Sequence, residues 1–138
     1  MDGCWDIATA NFGPFTVEDP CGQVANSVSI LLGDCTGNFV PPLPRDLVVQ
    51  RAPEGVLSSD FDGDNIPDLI ALNFCSGSIS KLKGLGGGLF APAQHVQLSP
   101  GAFPAFGAVE DFNNDQRLDF AVANWFPNDD ISVFLGTF

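Results

Sequence analysis

Basic residues are scarce in this chain of 138 residues, which has five Lys and Arg against 17 Asp and Glu and a formal net charge of −12. Nucleic acids and anionic membranes attract proteins through positive charge, so this imbalance argues against both as partners. The sequence also has no apolar run of the roughly 20 residues that a membrane-spanning helix needs. We therefore expect no nucleic-acid partner and no membrane insertion.

Residues of common catalytic and metal motifs are few as well. The chain has a single His, His95, which we expect at the surface, and no pair of its four Cys has CxxC spacing, so a zinc site is not expected. No G-x-S-x-G and no Ser–His–Asp or Cys–His arrangement is present. The N-terminal segment "MDGCWDIATAN" lacks the basic start and apolar core of a signal peptide, although an earlier removal is compatible with it. We predict a protein that is not an enzyme.

What the chain does have is an internal repeat of apolar segments. The repeated segments are "DIATAN" (6–11), "DLIALN" (68–73) and "DFAVAN" (119–124), each followed by an aromatic residue, and "SVSILLG" (27–33), "SISKLKG" (78–84) and "DISVFLG" (130–136). The last two Asn of the first set, Asn73 and Asn124, are 51 residues apart. The first repeat is 11 residues longer, and the extra residues fall in segment 12–27, which we predict to be an enlarged loop and a candidate for a specific contact.

Each unit contains four short apolar segments bounded by turn-forming residues, and no segment has a helical period. In the second unit the predicted strands are A at 54–59, B at 68–73, C at 78–84 and D at 93–98. Four strands in about 50 residues are typical of a propeller blade. We predict an all-β partial β-propeller of about three blades built from four-stranded antiparallel sheets.

The predicted arrangement is one repeat domain, 1–138, with units at approximately 1–53, 54–104 and 105–138. The first unit lacks strand A and the last lacks strand D, which leaves strand edges and apolar faces uncovered. Two explanations stay open: the chain is a piece of a longer protein, or copies assemble as a homo-oligomer that closes the propeller.

Two acidic loops precede predicted strands of the second and third units. Counted from the first Asp, oxygen-bearing side chains fall at positions 1, 3, 5 and 9, and position 7 offers a backbone carbonyl. The predicted ligands are Asp60, Asp62, Asp64, Ile66 and Asp68 in one loop and Asp111, Asn113, Asp115, Arg117 and Asp119 in the other. An all-oxygen set of this size suits Ca²⁺. An EF-hand is not indicated, because position 12 is Ala71 or Val122, and the alternative is a pair of solvated loops whose acids serve as turn formers.

The pattern D-x-[DN]-x-D-x-x-x-D, followed by a strand of this type and a later G-x-F, resembles the FG-GAP/VCBS repeat of integrin α chains and many secreted proteins. That resemblance implies a propeller whose A–B loops hold Ca²⁺ through positions 1, 3, 5, 7 and 9, about two ions per chain. Asn113 in place of an acid implies weaker binding in the third unit. The first unit has only Asp2, Cys4 and Asp6, at positions 5, 7 and 9, and no independent site is expected there.

Four cysteines in so small a chain suit an oxidising compartment. In an up-and-down blade the A–B and C–D loops share one end and the B–C loops lie at the other, which favours Cys4–Cys35 and Cys21–Cys75 among the three pairings. Four free thiols are the alternative.

The recurring aromatic residues, Phe12, Phe74 and Trp125, have two interpretations. They form either a platform for a sugar or a protein partner, or packing between blades, which we favour because the position recurs in every unit.

Together these features predict an extracellular or cell-surface calcium-binding module for adhesion or recognition, with a protein or glycan as ligand. Three alternatives stay open: a glycan-binding lectin, a structural fragment that self-associates, and an accessory piece of a larger secreted enzyme.

Overall fold

The computed structural model describes residues 3–14, 21, 25–125 and 130–136. This part of the chain is all-β, with antiparallel sheets, one short 3₁₀ helix (Phe74–Ser76) and no α-helix. In the same residues, no helix has the length and the apolar character needed to cross a membrane. The predicted fold class, an all-β partial propeller, is confirmed.

The first sheet contains four strands: β1 (Ile7–Asn11), β2 (Ser27–Gly33), β3 (Phe39–Val40) and β4 (Asp46–Val48). Strand β2 lies between β1 and β4, with Ala8 opposite Ile30 and Val28 opposite Leu47. The short β3 pairs with the end of β2. These strands correspond to the predicted B, C and D of the first unit.

The second sheet is the complete one. The strands of this region are β5 (Pro53–Ser59), β6 (Asp68–Asn73), β7 (Ser78–Leu82), β8 (Gly84–Gly86), β9 (Leu89–Phe90) and β10 (Gln94–Gln97). The sheet order is β10-β7-β6-β5, and β8 and β9 form a separate two-stranded hairpin. The predicted strands A to D are therefore confirmed, except that strand C ends at Leu82 and Gly84 begins the hairpin instead.

The third sheet has the order β11-β12-β13, formed by β11 (Phe103–Glu110), β12 (Asp119–Trp125) and β13 (Ile131–Phe134). Both β5 and β11 carry an irregularity near their start, at Pro53/Gly55 and at Pro104/Phe106. The acidic loops lie between β5 and β6 and between β11 and β12.

Two core clusters cover opposite faces of the second sheet. One joins it to the first sheet (Val28, Ile30, Leu47, Val49, Leu69, Ala71 and Leu82), and the other joins it to the third (Phe61, Ile70, Leu72, Ile79, Leu98, Ala102, Phe120 and Val122). Successive side chains of a strand point to opposite faces, so β6 supplies both clusters and is buried throughout. Each large aliphatic side chain buried in this way contributes about 1.5–3 kcal/mol.

The Asn at the end of strand B in the first two units, or one residue before it in the third, ties that strand to strand C. Its Nδ2 donates to two side-chain oxygens of the neighbouring strand at 2.8–3.1 Å; the acceptors are Ser27 and Ser29 for Asn11, Ser78 and Ser80 for Asn73, and Asp130 and Ser132 for Asn124. The recurrence of Asn in the repeat therefore has a structural cause.

Both predicted disulfides are present, Cys4–Cys35 and Cys21–Cys75, with Cα–Cα distances of 4.9 and 5.6 Å. The first bond joins the segment before β1 to the loop after β2 within the first unit. The second bond joins the first unit to the second. Asp2 and most of the enlarged loop 12–27 lie outside the described residues, so the proposals made for them are not addressed by the structure.

The recurring aromatic residues form a row across the three units. The ring centroids of Phe12 and Phe74 are 6.1 Å apart, and those of Phe74 and Trp125 are also 6.1 Å apart. Phe103 adds a contact with Phe74 at 5.0 Å. The packing interpretation is therefore confirmed, although Trp125 keeps 63% of its surface exposed.

Candidate calcium loops

The loop from Asp60 to Asp68, hereafter the Asp60 loop, is organised by its own carboxylates. Asp60 Oδ1 accepts from the N–H groups of Gly63 (2.8 Å) and Asp64 (3.0 Å), and its Oδ2 accepts from Asn65 at 2.8 Å. The N–H of Ile66 donates to Asp64 Oδ1 at 2.8 Å. Such side-chain to backbone bonds close tight turns, as the turn-forming interpretation of these acids expects.

The loop from Asp111 to Asp119, the Asp111 loop, repeats this scheme. Asp111 accepts from the N–H groups of Asp115 (3.1 Å) and Gln116 (2.9 Å), and Asp115 Oδ1 accepts from Arg117 at 2.9 Å. At position 3, Asn113 Oδ1 accepts from Asp115 at 2.9 Å, as Asp62 Oδ1 accepts from Asp64 at 3.2 Å. The amide thus replaces the carboxylate without changing the backbone of the loop.

The ninth-position aspartates, Asp68 and Asp119, are fully buried and hold each loop to the sheet. Asp68 Oδ2 accepts from Phe61 N–H at 3.1 Å and its Oδ1 accepts from Gly84 N–H at 2.7 Å. Asp119 makes the same two bonds, with Phe112 at 2.9 Å and Gly136 at 2.7 Å. Each of these carboxylates therefore joins its loop to the end of strand C.

The glycine that ends each C segment was not singled out from the sequence as part of the site. Gly33 donates to Asp6 at 3.0 Å, which is the bond that Gly84 and Gly136 make in the other units. A Cβ on Gly84 would lie 2.2 Å from the carbonyl oxygen of Pro67, so only glycine permits this approach. The signal was in the sequence, because all three C segments end in Gly.

Three acidic side chains of the Asp60 loop converge. Asp60, Asp62 and Asp68 each offer one carboxylate oxygen within 4.8 Å of the others, and no other group of three acidic, His or Cys side chains among the described residues lies this close together. Asp64, also predicted as a ligand, is not in this group. Its Oδ2 instead lies 3.0 Å from Lys83 Nζ, and Lys83 contacts Asp62 as well.

Lys83 was not anticipated from the sequence, because it lies 21 residues from Asp62 along the chain. The contacts with Asp62 and Asp64 raise the pKa of the ammonium above its usual value. The hydrogen bond from Lys83 in turn lowers the pKa of Asp64. Burial raises the pKa of Asp68, although the N–H groups of Gly84 and Phe61 act in the opposite direction.

The turns of both loops use the left-handed backbone region at positions 4 and 6. Gly63 (φ 79°) and Asn65 (φ 63°) occupy it in the Asp60 loop, and Asn114 (φ 60°) and Gln116 (φ 70°) occupy it in the Asp111 loop. Gly and Asn tolerate this region, whereas Gln adopts it at a cost. Gln116 is therefore the poorer match to the backbone of its loop.

Elsewhere, a cavity of about 430 Å³ lies between the first two sheets and the hairpin β8–β9. Asp6 and Ser58 are its polar side chains, and most of the lining, which includes the exposed Trp5, is apolar or glycine. His95 is exposed, as predicted, and its Nδ1 lies 2.9 Å from Ser80 Oγ. Ser80 is fully buried and its Oγ also accepts from Asn73 Nδ2 at 2.8 Å, so this Ser–His contact belongs to the hydrogen bonds that tie strand B to strand C.

The sheets and the two loops define a class, a partial propeller whose A–B connections are acidic turns. Within it, residues 60–122 match the FG-GAP-like repeat family. The match runs from the start of the Asp60 loop into β12 and thus includes strands of two consecutive units. FG-GAP-like repeats form propellers and are in general non-catalytic structural modules. No curated protein and no solved structure matches the chain.

Proposed function

We propose that the protein is a non-catalytic, extracellular recognition module whose Asp60 and Asp111 loops bind Ca²⁺ as structural ions. The convergence of Asp60, Asp62 and Asp68 carries this proposal. Three carboxylates within 4.8 Å repel one another unless a cation lies among them, and oxygen donors of this kind are the ligands that Ca²⁺ prefers.

The residues of the Asp60 loop fit such an ion. A carboxylate oxygen that accepts one N–H group keeps a second lone pair, so Asp60 and Asp68 remain able to bind a cation. Asp62, Asp64 and the carbonyl of Ile66 would complete the set. In the Asp111 loop the corresponding residues are Asp111, Asn113, Asp115, Arg117 through its carbonyl, and Asp119, with one carboxylate fewer.

The extracellular location in this proposal is supported by the two disulfides, which persist in oxidising compartments. The recognition role is supported by the repeat itself, which carries loops at the two ends of the sheets, where binding residues are commonly found. A glycan ligand is less favoured than a protein ligand, because the cavity between the first two sheets offers few polar side chains.

The test is a calcium titration by calorimetry on chelator-stripped protein, with thermal unfolding measured with and without the ion. We expect two sites, the Asp111 loop being weaker, and a higher melting temperature with calcium, because an ion that binds only the folded state stabilises it. Asp62→Asn should weaken the stronger site and Asn113→Asp should strengthen the weaker one, each by about tenfold, since affinity follows the count of charged ligands.

Asp34→Asn is the matched control. Asp34 lies in an exposed turn outside both loops, where its carboxylate accepts from Thr36 and Asn38. This variant should bind calcium as the unchanged protein does. An absence of binding heat and of thermal stabilisation would mean that the acids are turn formers only, and the calcium proposal would then be abandoned.

Self-association is a second candidate function, favoured by an uncovered apolar face. Ile131 and Val133 of β13 are 69% and 54% exposed, whereas the equivalent residues of β2, Val28 and Ile30, are buried against the second sheet. At the other end, Ile7 is 41% exposed, whereas its equivalent Leu69 is buried. These two faces are the counterparts of faces that pack together inside the chain, so we propose a second copy as the partner, in head-to-tail contact.

Sedimentation equilibrium over a range of concentrations tests this candidate. We expect a mass above that of one chain, reduced to a monomer by Ile131→Lys and unchanged by Leu43→Lys, since Leu43 is exposed but lies outside the strands. A monomer at all concentrations would rule out this contact between copies.

A further inference from the structure

The lysine that contacts the Asp60 loop has no counterpart in the other units. Lys83 follows β7, and the same place in the repeated segments "SVSILLG" and "DISVFLG" is taken by Leu32 and Leu135. The fold therefore accepts an apolar residue at this place, and the positive charge of Lys83 serves something specific to the Asp60 loop.

The ammonium of Lys83 and a bound cation would both contact carboxylates of the Asp60 loop. Lys83 Nζ contacts Asp62, which belongs to the convergent group with Asp60 and Asp68, and lies 3.0 Å from Asp64. Both Asp62 and Asp64 are expected ligands of the ion. A dication among these carboxylates would repel an ammonium that remained in contact with them.

In the Asp111 loop the corresponding carboxylate has a neutral partner instead of an ammonium. There the carboxylate equivalent to Asp64 is Asp115, and its Oδ2 accepts from Asn113 Nδ2 at 3.0 Å. A neutral amide inside the loop thus takes the role that a cation from outside takes in the Asp60 loop. The two loops differ in what must be displaced when an ion binds.

We propose that Lys83 is an internal counter-ion of the Asp60 loop, which holds the loop together without calcium and is exchanged for the ion when calcium binds. Its side chain is 47% exposed, so it can leave the carboxylates for solvent without leaving a cavity. Lys83 thereby lowers the calcium affinity of this loop and lessens the dependence of the fold on the ion. The inference rests on the proposed calcium function.

The experiment exchanges the residue types at the two equivalent positions, Lys83 and Leu135. Lys83→Leu introduces the residue that the other units carry, and Leu135→Lys introduces the lysine beside the Asp111 loop, where Leu135 is half exposed. Calorimetric titration with calcium should show the Asp60 loop binding at least about tenfold more tightly in Lys83→Leu, since one competing charge is removed. The Asp111 loop should bind more weakly in Leu135→Lys.

The melting temperature in chelator gives a second readout, which should fall in Lys83→Leu because the carboxylates lose their counter-ion. Lys83→Arg keeps the charge and should behave like the unchanged protein, while Arg45→Gln removes a positive charge from the first sheet and should alter neither site. The two sites are assigned with Asp62→Asn and Asn113→Asp.

The outcomes separate the two proposals. Two calcium sites with an unchanged affinity in Lys83→Leu would overturn the role of Lys83 and leave the calcium function intact. An absence of calcium binding in both the unchanged protein and Lys83→Leu would overturn both. Binding at the Asp60 loop that appears only in Lys83→Leu would support the competition in its strongest form.

Discussion

The Asp60 loop and the Asp111 loop have the same backbone and different charges. In both loops the first-position Asp accepts from the turn, and the ninth-position Asp joins the loop to the end of strand C. The Asp60 loop adds a carboxylate at position 3 and an external lysine, whereas the Asp111 loop has an amide there and Leu135 in place of the lysine. The backbone shape thus depends on acceptor oxygens at positions 1, 3, 5 and 9. An amide at position 3 supplies its oxygen as well as a carboxylate does, so the charge at position 3 and beside the loop varies independently of the backbone.

The largest effect that tests this comparison concerns the buried ninth-position aspartates. Asp68→Ala should leave the N–H groups of Phe61 and Gly84 without their acceptor, and Asp119→Ala should do the same to Phe112 and Gly136. Each variant should lose about 3 kcal/mol or more of unfolding free energy in chelator, because two N–H groups lose the charged acceptor that a fully buried carboxylate supplies. Urea unfolding with a chelator present measures this loss.

The two losses should be similar, because the hydrogen bonds are the same in both loops. Asp34→Ala, in an exposed turn, is the control and should lose less. A large loss in only one of the two loops would show that the shared hydrogen bonds contribute unequally to the unfolding free energy. A negligible loss in both would mean that the loops are not fixed to the sheet by these carboxylates.

The fold was predictable from the sequence because the repeat makes each segment evidence for the others. The alternation in "DFAVAN" alone leaves its register open, but three aligned copies fix which residues face which neighbour. The buried β6 illustrates this, since its continuous apolar sequence follows from having a sheet on either side. Both disulfides followed from the same repeat, which placed their cysteines at shared ends of the sheets.

The site was predictable only in part, because its remaining contacts are not local. Spacing alone indicated Asp60, Asp62, Asp64 and Asp68 as neighbours, and the carboxylates of Asp60, Asp62 and Asp68 converge. The bond between Gly84 and Asp68 spans 16 residues, and the contact between Lys83 and Asp62 spans 21. The sequence of the loop itself indicates neither contact. Comparison of the three units does point to Gly84, because each C segment ends in Gly.

The smallest effect that sharpens the comparison concerns the turn at position 6. Asn65 and Gln116 are equivalent, and both have a left-handed backbone, with φ of 63° and 70°. Asn tolerates this region better than Gln does. Gln116→Asn should therefore stabilise the protein by about 0.5 kcal/mol, and Asn65→Gln should destabilise it by a similar amount.

These two substitutions leave the turn hydrogen bonds in place, because Asn65 and Gln116 donate to Asp60 and Asp111 through backbone N–H groups. The effect therefore reports backbone strain and not a lost contact. Urea unfolding in chelator measures it, and Gln94→Asn, at an exposed place in β10, controls for the change of side chain. Shifts of the same sign in both variants would show that side-chain contacts, and not the left-handed backbone, decide which residue each loop prefers at this position.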